Sequence, residues 1–109
     1  MVEKKLIVII PRGLQPATHV AMFVQKIYSY NSEVMIIKDE RIVSGGKNVM
    51  MSQFAFNVMG LDVEVGDEIT LIVSGKDEYL TFLELEKFIL NKEHSLLPLV
   101  AGQIKPIDN

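Results

Sequence analysis

The alternation of apolar and polar residues predicts a strand and a helix in the first third of the chain. A β-branched run, Lys5–Ile10, ends at Pro11, which cannot donate to a sheet, and predicts the first strand. Pro16 suits the first turn of a helix that ends near Tyr30. The residues at helical spacing that form its apolar stripe are Val20, Phe23, Val24 and Ile27.

The middle of the chain predicts a β-hairpin followed by a second helix. Residues 33–38 and 41–44 have strand composition, and Asp39-Glu40 supplies a tight turn between them. Gly45-Gly46 breaks the second of these strands. Residues 47–59 are predicted to be helical, with Gly60 as the stop signal.

Residues 68–91 predict one more strand and one more helix. Residues 68–74 place Ile69, Leu71 and Val73 on one face of a strand. Asp77 is predicted to cap a helix that runs to about Asn91. The order β-α-β-β-α-β-α predicts an α+β two-layer domain in which the helices cover one face of an antiparallel sheet.

The length of 109 residues predicts a single domain. We expect this domain to span residues 1–94, with residues 95–109 as a C-terminal extension. The extension contains Pro98 and Pro106 and is therefore not expected to be helical throughout. It also contains apolar residues, so we expect it to pack on the domain or on a partner. The apolar residues are Leu96, Leu97, Leu99, Val100 and Ile104.

Composition excludes several classes of function. The chain has no cysteine, which removes disulfides and sulfur-ligated metals, and its two isolated histidines do not make a metal site. A net charge of −3 without a cluster of Lys and Arg argues against nucleic acid as a partner. No apolar run approaches the roughly 20 residues of a membrane span, so a cytoplasmic protein without a cofactor is expected.

Three stretches resemble HPr, the small phosphocarrier of the bacterial sugar phosphotransferase system. HPr has G-L-H-A-R-P-A between its first strand and first helix, and this chain has Gly13-Leu14 followed by Gln15. Residues 47–50 have the sequence K-N-V-M, which is similar to the K-S-I-M of the family. Residues 66–71 and 75–78 are similar to its last strand and the turn that follows. The resemblance implies an open-faced β-sandwich with a four-stranded sheet and three helices on one face.

The resemblance also implies that this chain lacks the phosphoacceptor. In a colinear alignment Gln15 takes the position of the histidine, Ala17 that of the arginine and Thr18 that of the proline. Aligning Pro16-Ala17 with the P-A of the family removes the histidine and the arginine altogether. An amide nitrogen is no nucleophile for phosphoryl transfer. The degenerate site is therefore assigned to Gln15, Arg12, Thr18 and His19, and the regulatory serine of the family is replaced by Asn48.

The second helix carries the predicted contact surface. In HPr the start of this helix and the tip of the first helix form one docking face, and by resemblance the partner-binding residues here are Val49, Met50, Met51 and Phe54. The same residues also suit a core or a surface that the extension covers. The third helix is apolar on more than one face, which indicates that the extension or a second copy covers it, the latter as a homodimer.

The resulting hypothesis is a non-catalytic, HPr-like regulatory protein whose partners are other proteins, such as a transcriptional regulator or a phosphotransferase component. Two alternatives stay open. One is a functional phosphocarrier that uses His19, which lies one helical turn, or about 6 Å, beyond Gln15. The other is a module that binds a small anion at the N-terminus of the first helix.

Overall fold

Residues 1–92 are described by the structure, a computed structural model, and they form the seven elements in the predicted order. The predicted extension, residues 95–109, and His94 lie outside the described residues. None of the helices within residues 1–92 is both long and apolar enough to cross a membrane. The elements are β1 (Val2–Ile7), α1 (Ala17–Tyr28), β2 (Ser32–Lys38), β3 (Arg41–Gly45), α2 (Met51–Gly60), β4 (Glu68–Gly75) and α3 (Glu78–Ile89).

The four strands form one antiparallel sheet in the order β1-β4-β2-β3, which confirms the predicted fold class. Ile69, Leu71 and Val73 of β4 are buried, as their alternation predicts. Val34 and Ile36 of β2 lie on the same buried face, and the helices cover it. The opposite face of the sheet carries the exposed and half-buried side chains, and none of the helices of residues 1–92 covers it.

Strand β1 lies three residues earlier than the sequence predicts. Burial still alternates up to Ile10, with Leu6, Val8 and Ile10 buried while Ile7 and Ile9 are each 49% exposed. Sheet pairing ends because the backbone N–H groups of Ile9 and Ile10 both donate to the carbonyl oxygen of Ile89, at 3.0 and 2.9 Å. The predicted alternation of buried and exposed side chains is therefore confirmed up to Ile10. The backbone of Ile9 and Ile10, however, bonds to the end of helix α3 and not to a strand.

The start of α2 is also displaced, from residue 47 to Met51. Residues 46–49 form a turn in which the N–H of Val49 donates to the carbonyl of Gly46 at 3.1 Å. The hydroxyl of Tyr28, on α1, donates to the carbonyl of Val49 at 2.7 Å. Residues 46–49 are therefore held as a turn, and not as the first turn of the helix, by a hydrogen bond from α1. The local sequence pattern does not predict a bond of this kind.

The far end of α2 is held by the β2–β3 hairpin. Arg41 donates to the carbonyl oxygens of Gly60 and Leu61, both at 2.9 Å. Lys38 donates to those of Leu61 and Asp62. Cations at the carbonyl end of a helix satisfy unpaired acceptors and oppose the helix dipole. The position of Asp62, directly after the helix, is therefore well fixed.

Asp77 stands at the predicted N-cap of α3, but its side chain does not cap the helix. Its carboxylate instead accepts hydrogen bonds from the Ser32 hydroxyl at 2.6 Å and the Asn31 N–H at 2.9 Å. These bonds favour the ionised carboxylate and hold the pKa of Asp77 below its usual value. Asp77 thus ties the start of α3 to the start of β2.

Candidate functional site

The loop between β1 and α1 is a tight turn anchored in the core. Arg12 and Gly13 both have left-handed backbone conformations, with φ of 66° and 60°. Leu14 is fully buried, and its N–H donates to the carbonyl of Val63 at 2.9 Å. A buried residue between two surface segments fixes the path of the chain, so Gln15 is presented at the surface beside the start of α1.

The tip of α1 has backbone N–H groups that donate to no other residue of the described part of the chain. Pro16 is the N-cap, one position before the predicted first turn, and no side chain of the described residues caps this helix start. The first bond of the helix runs from Val20 N–H to Pro16 carbonyl at 3.1 Å. The N–H groups of Ala17, Thr18 and His19 precede this bond and carry the positive end of the helix dipole.

Gln15 is bound to a carboxylate that the sequence did not reveal. Its side-chain nitrogen donates to Oδ1 of Asp62 at 2.5 Å, and both residues are exposed. The two are 47 residues apart, so only the packing of the α2 end against the first loop brings them together. The amide is therefore engaged as a donor, and a negative charge lies beside the residue that replaces the histidine.

The ring of His19, in the first turn of α1, faces the loop between β1 and α1. Its Nδ1 lies 2.9 Å from the carbonyl oxygen of Gly13. A carbonyl can only accept, so Nδ1 carries the proton and the lone pair of the neutral ring is on Nε2. The ring also stands edge-on to Phe88, with 6.3 Å between the centroids. His19 therefore fastens the first loop to α1 and α3.

The remaining residues assigned to the degenerate site are less engaged. Arg12 and Thr18 are exposed, Arg12 on the loop and Thr18 in the first turn of α1. Within residues 1–92 no group of three or more His, Asp or Glu side chains is placed to hold a metal ion. The site thus consists of Gln15 with Asp62, flanked by the backbone donors of the helix tip.

A second surface, here called the methionine patch, consists of Val49, Met50 and Met51. Met50 is 75% exposed and Met51 45%, whereas Val49 is half-buried. Beside the patch a cleft of about 260 Å³ opens between α1 and α2. It is lined by Ala21, Val24, Gln25, Met51, Ser52 and Ala55. Asn48 is exposed in the turn before α2, not within the helix.

The fourth predicted contact residue, Phe54, does not belong to the patch. Phe54 is fully buried, and its ring lies against the backbone of Gly45 and near the ring of Tyr28. Phe56, which the sequence did not single out, is 73% exposed on another side of α2. Both are aromatic residues of one apolar helix, and composition alone cannot say which of them faces the core.

We expect Tyr28→Phe to release the turn that carries the methionine patch. The Tyr28 hydroxyl donates to Val49 and accepts from the N–H of Gly46 at 3.2 Å, so its loss leaves two partly buried backbone groups unpaired. The expected cost is about 1–3 kcal/mol of unfolding free energy in urea denaturation. The Gly46 amide should also exchange its hydrogen faster. Tyr79→Phe, at a tyrosine that is 72% exposed, is the matched control and should leave both quantities unchanged; equal effects of the two substitutions would contradict this role of Tyr28.

Comparison with known proteins gives one consistent result. The family model described as the PTS HPr component phosphorylation site matches residues 2–91. The HPr-like protein Crh of Bacillus subtilis (strain 168) is 35% identical over 89 residues, which cover 82% of this chain and 95% of that protein. The crystal structure of the phosphocarrier protein HPr from Bacillus anthracis str. Ames is 25% identical, with a TM-score of 0.69 over 81% of this chain and 95% of that one. The crystal structure of B. subtilis Crh is 30% identical, with a TM-score of 0.60 over 84% and 97%, and is described as a dimer with a swapping domain.

Proposed function

Since the chain belongs to the PTS HPr family, we propose that it is a regulatory protein that binds other proteins and does not carry phosphate. Its partners would be a transcriptional regulator or a component of the phosphotransferase system, as the resemblance to HPr implies. Family membership also supports action in the cytoplasm. The observation that supports this proposal most directly is the hydrogen bond between Gln15 and Asp62 at the tip of α1.

The chemistry of that pair argues against phosphoryl transfer at residue 15. A phosphoacceptor needs a nucleophilic lone pair, and the nitrogen lone pair of Gln15 is delocalised into the amide. A phosphoryl group brings a charge of about −1.5 to −2. Placed beside Asp62 it would meet a carboxylate instead of the arginine that the family motif supplies. The electrostatic energy therefore opposes an anion where HPr-type chemistry would form one.

The environment of His19 argues against phosphorylation at one of its two ring nitrogens, Nδ1. Its Nδ1 holds the carbonyl of Gly13, so phosphorylation at this nitrogen would break the bond that fastens the first loop. A phosphocarrier that uses His19 would therefore have to accept the phosphoryl group on the other ring nitrogen, Nε2. The Asp62 carboxylate likewise weighs against a small-anion module at this tip.

The methionine patch supports binding of a protein partner. Met50 and Met51 are exposed at the start of α2, and unbranched thioether side chains adapt to varied apolar surfaces. The turn that carries them is held by Tyr28, so the patch is presented in a fixed orientation. Self-association is a further expectation, supported by the relative whose structure is described as a swapped dimer.

A phosphorylation assay tests the proposal. The protein would be incubated with phosphoenolpyruvate and the general kinase of the phosphotransferase system, with B. anthracis HPr as the positive control. We expect an acid-labile phosphoryl adduct on HPr and none on this chain, as read by intact-protein mass spectrometry at neutral pH.

Each alternative predicts a different result. A stoichiometric adduct that disappears in His19→Ala but persists in Gln15→Ala would replace the proposal by a phosphocarrier that uses His19. Titration with inorganic phosphate tests the second alternative, a small-anion module. Amide chemical shifts of Ala17, Thr18 and His19 that change and saturate at phosphate concentrations below about 1 mM would identify such a module.

A further inference from the structure

The face of the sheet that the helices do not cover carries apolar side chains at its centre. In an antiparallel sheet with one face buried, the residues that alternate with the core residues point to water and are usually polar. On β2 the core residues are Val34 and Ile36, whereas the residues that alternate with them are Met35 and Ile37. Ile72 has the same position on β4, and all three side chains are half-buried. The core does not account for them, because they point away from it.

The strand register brings these residues together with one more. Ile72 lies directly opposite Met35, and Ile37 lies directly opposite Ile42 of the edge strand β3. Met35 and Ile37 are two positions apart on one strand and therefore share a face. Ile42 is 59% exposed, and a cavity of about 270 Å³ lies beside Met35 and Ile72. These four residues, here called the apolar cluster, form one continuous surface across β4, β2 and β3.

Acidic side chains surround the apolar cluster. Those on the same face or at its rim are Glu3, Glu33, Asp39 and Glu68, and all four are exposed. Glu3, for example, lies directly opposite Ile72. Two lysines line the same part of the face, and of these Lys38 is already paired with Asp67 at 3.0 Å. Four carboxylates against the remaining lysine, Lys5, make this face negative.

The negative charge selects among the possible occupants of this face. A second copy of the chain would place the same carboxylates on both sides of the contact, and like charges in an interface cost free energy. A segment of another protein that carries lysine and arginine beside its apolar residues would instead be attracted. An amphipathic α-helix has this arrangement, and a helix packed on a sheet buries an apolar surface of each. A helix of about 14 residues is about 21 Å long, which matches the span of about 23 Å of the seven residues of β2.

We propose that the open face of the sheet binds an amphipathic helix of a partner protein whose apolar stripe is flanked by lysine and arginine. The apolar stripe packs on the apolar cluster. The basic side chains pair with Glu3 and Glu33 at one end of the face and with Asp39 and Glu68 at the other. Such a helix does not contact the tip of α1, so its binding is independent of whether the chain carries phosphate.

Titration of the full-length, ¹⁵N-labelled protein with two synthetic peptides tests this. Both peptides are amphipathic helices of about 14 residues with the same leucine stripe. The basic peptide has lysine on both flanks of the stripe, and the acidic peptide has glutamate at the same positions. We expect the basic peptide to shift the amide signals of Met35, Ile37 and Ile72 with a Kd below about 100 µM at low ionic strength. We expect no saturable shift with the acidic peptide.

Substitutions in the apolar cluster should weaken the basic peptide. Ile42→Thr/Ile72→Thr keeps a β-branched residue in each strand but removes apolar surface, and it should raise the Kd at least about tenfold. Val65→Thr/Leu83→Thr is the matched control, because these two apolar residues are 54% and 49% exposed outside this face. The control should leave the Kd unchanged.

Substitutions of the acidic residues test the electrostatic part of the contact. Glu33→Gln/Glu68→Gln should raise the Kd of the basic peptide about threefold to tenfold at low ionic strength, and by less at high ionic strength, where exposed charges are screened. Glu64→Gln/Glu84→Gln removes the same charge outside this face. It should leave the Kd within about twofold of the wild-type value.

Other outcomes overturn the proposal. Equal binding of the two peptides would mean that charge does not select the occupant, and amide shifts confined to Met50 and Met51 would place the helix on the methionine patch. If neither peptide shifts the amides of the apolar cluster, the face is not a docking surface for a helix. Shifts of these amides that grow with protein concentration in the absence of peptide would assign the face to a second copy.

Discussion

Phe54→Ala is expected to lower the free energy of unfolding by about 3–5 kcal/mol, the usual range for removal of a buried phenylalanine. The side chain is fully buried in the layer between α2 and the sheet, and its ring lies 6.1 Å from that of Tyr28. Truncation leaves a cavity that Gly45, which has no side chain, cannot fill. Urea denaturation followed by circular dichroism gives the measurement.

Phe56→Ala provides the matched comparison on the same helix. Phe56 is 73% exposed, and surface substitutions usually change stability by less than about 0.5 kcal/mol. Two substitutions of the same chemistry two positions apart therefore determine how α2 is rotated on the sheet. If both cost the same, the orientation that exposes Met51 would be wrong, and with it the methionine patch.

Gly13→Ala is expected to destabilise the protein by about 2–4 kcal/mol, through backbone strain and overpacking together. Gly13 has a left-handed conformation, and a Cβ atom at this position would overlap the carbonyl oxygen of Val63. That oxygen also accepts the N–H of Leu14, so it cannot move away without loss of the bond. Because the loop would shift, the contact between Gln15 and Asp62 should be lost as well, which the amide spectrum of Gln15 would report.

Gly60→Ala is the control for the previous substitution. Gly60 ends α2, and a Cβ atom there would have no neighbour within 4 Å among the described residues. Alanine has the better helix propensity, so stability should be unchanged or higher by up to about 1 kcal/mol. A loss of stability comparable to that of Gly13→Ala would mean that chain flexibility, not the approach of Val63, decides both results.

The periodic elements were predictable because burial alone determines them. The stripe of α1 and the alternation of β4 each face one core, and every residue predicted to be inside is buried. The start of α2 was not predictable, since residues 47–50 have the composition of a helix but are held as a turn by the Tyr28 hydroxyl. The Tyr28 hydroxyl, which donates to the carbonyl of Val49 and accepts from the N–H of Gly46, favours the turn here over a first helical turn.

In the candidate site, too, some features follow from the local sequence and others depend on tertiary contacts. The position of Gln15 at the tip of α1 follows from the order of strand, glycine and proline along the chain, and the structure places it there. Its partner Asp62 follows from no local signal, because the contact depends on how the end of α2 meets the first loop. Likewise, two phenylalanines in one short helix leave its rotation undetermined until the sheet beneath it is known.

The pairing of Gln15 with Asp62 determines what a histidine substituted at position 15 would meet. A histidine introduced at position 15 would stand against an acid, which favours the protonated imidazolium and so removes the lone pair that must attack phosphorus. The same acid would repel the product. Installing HPr-type chemistry at position 15 would therefore require replacement of Asp62 as well as Gln15, at positions 47 residues apart in the sequence.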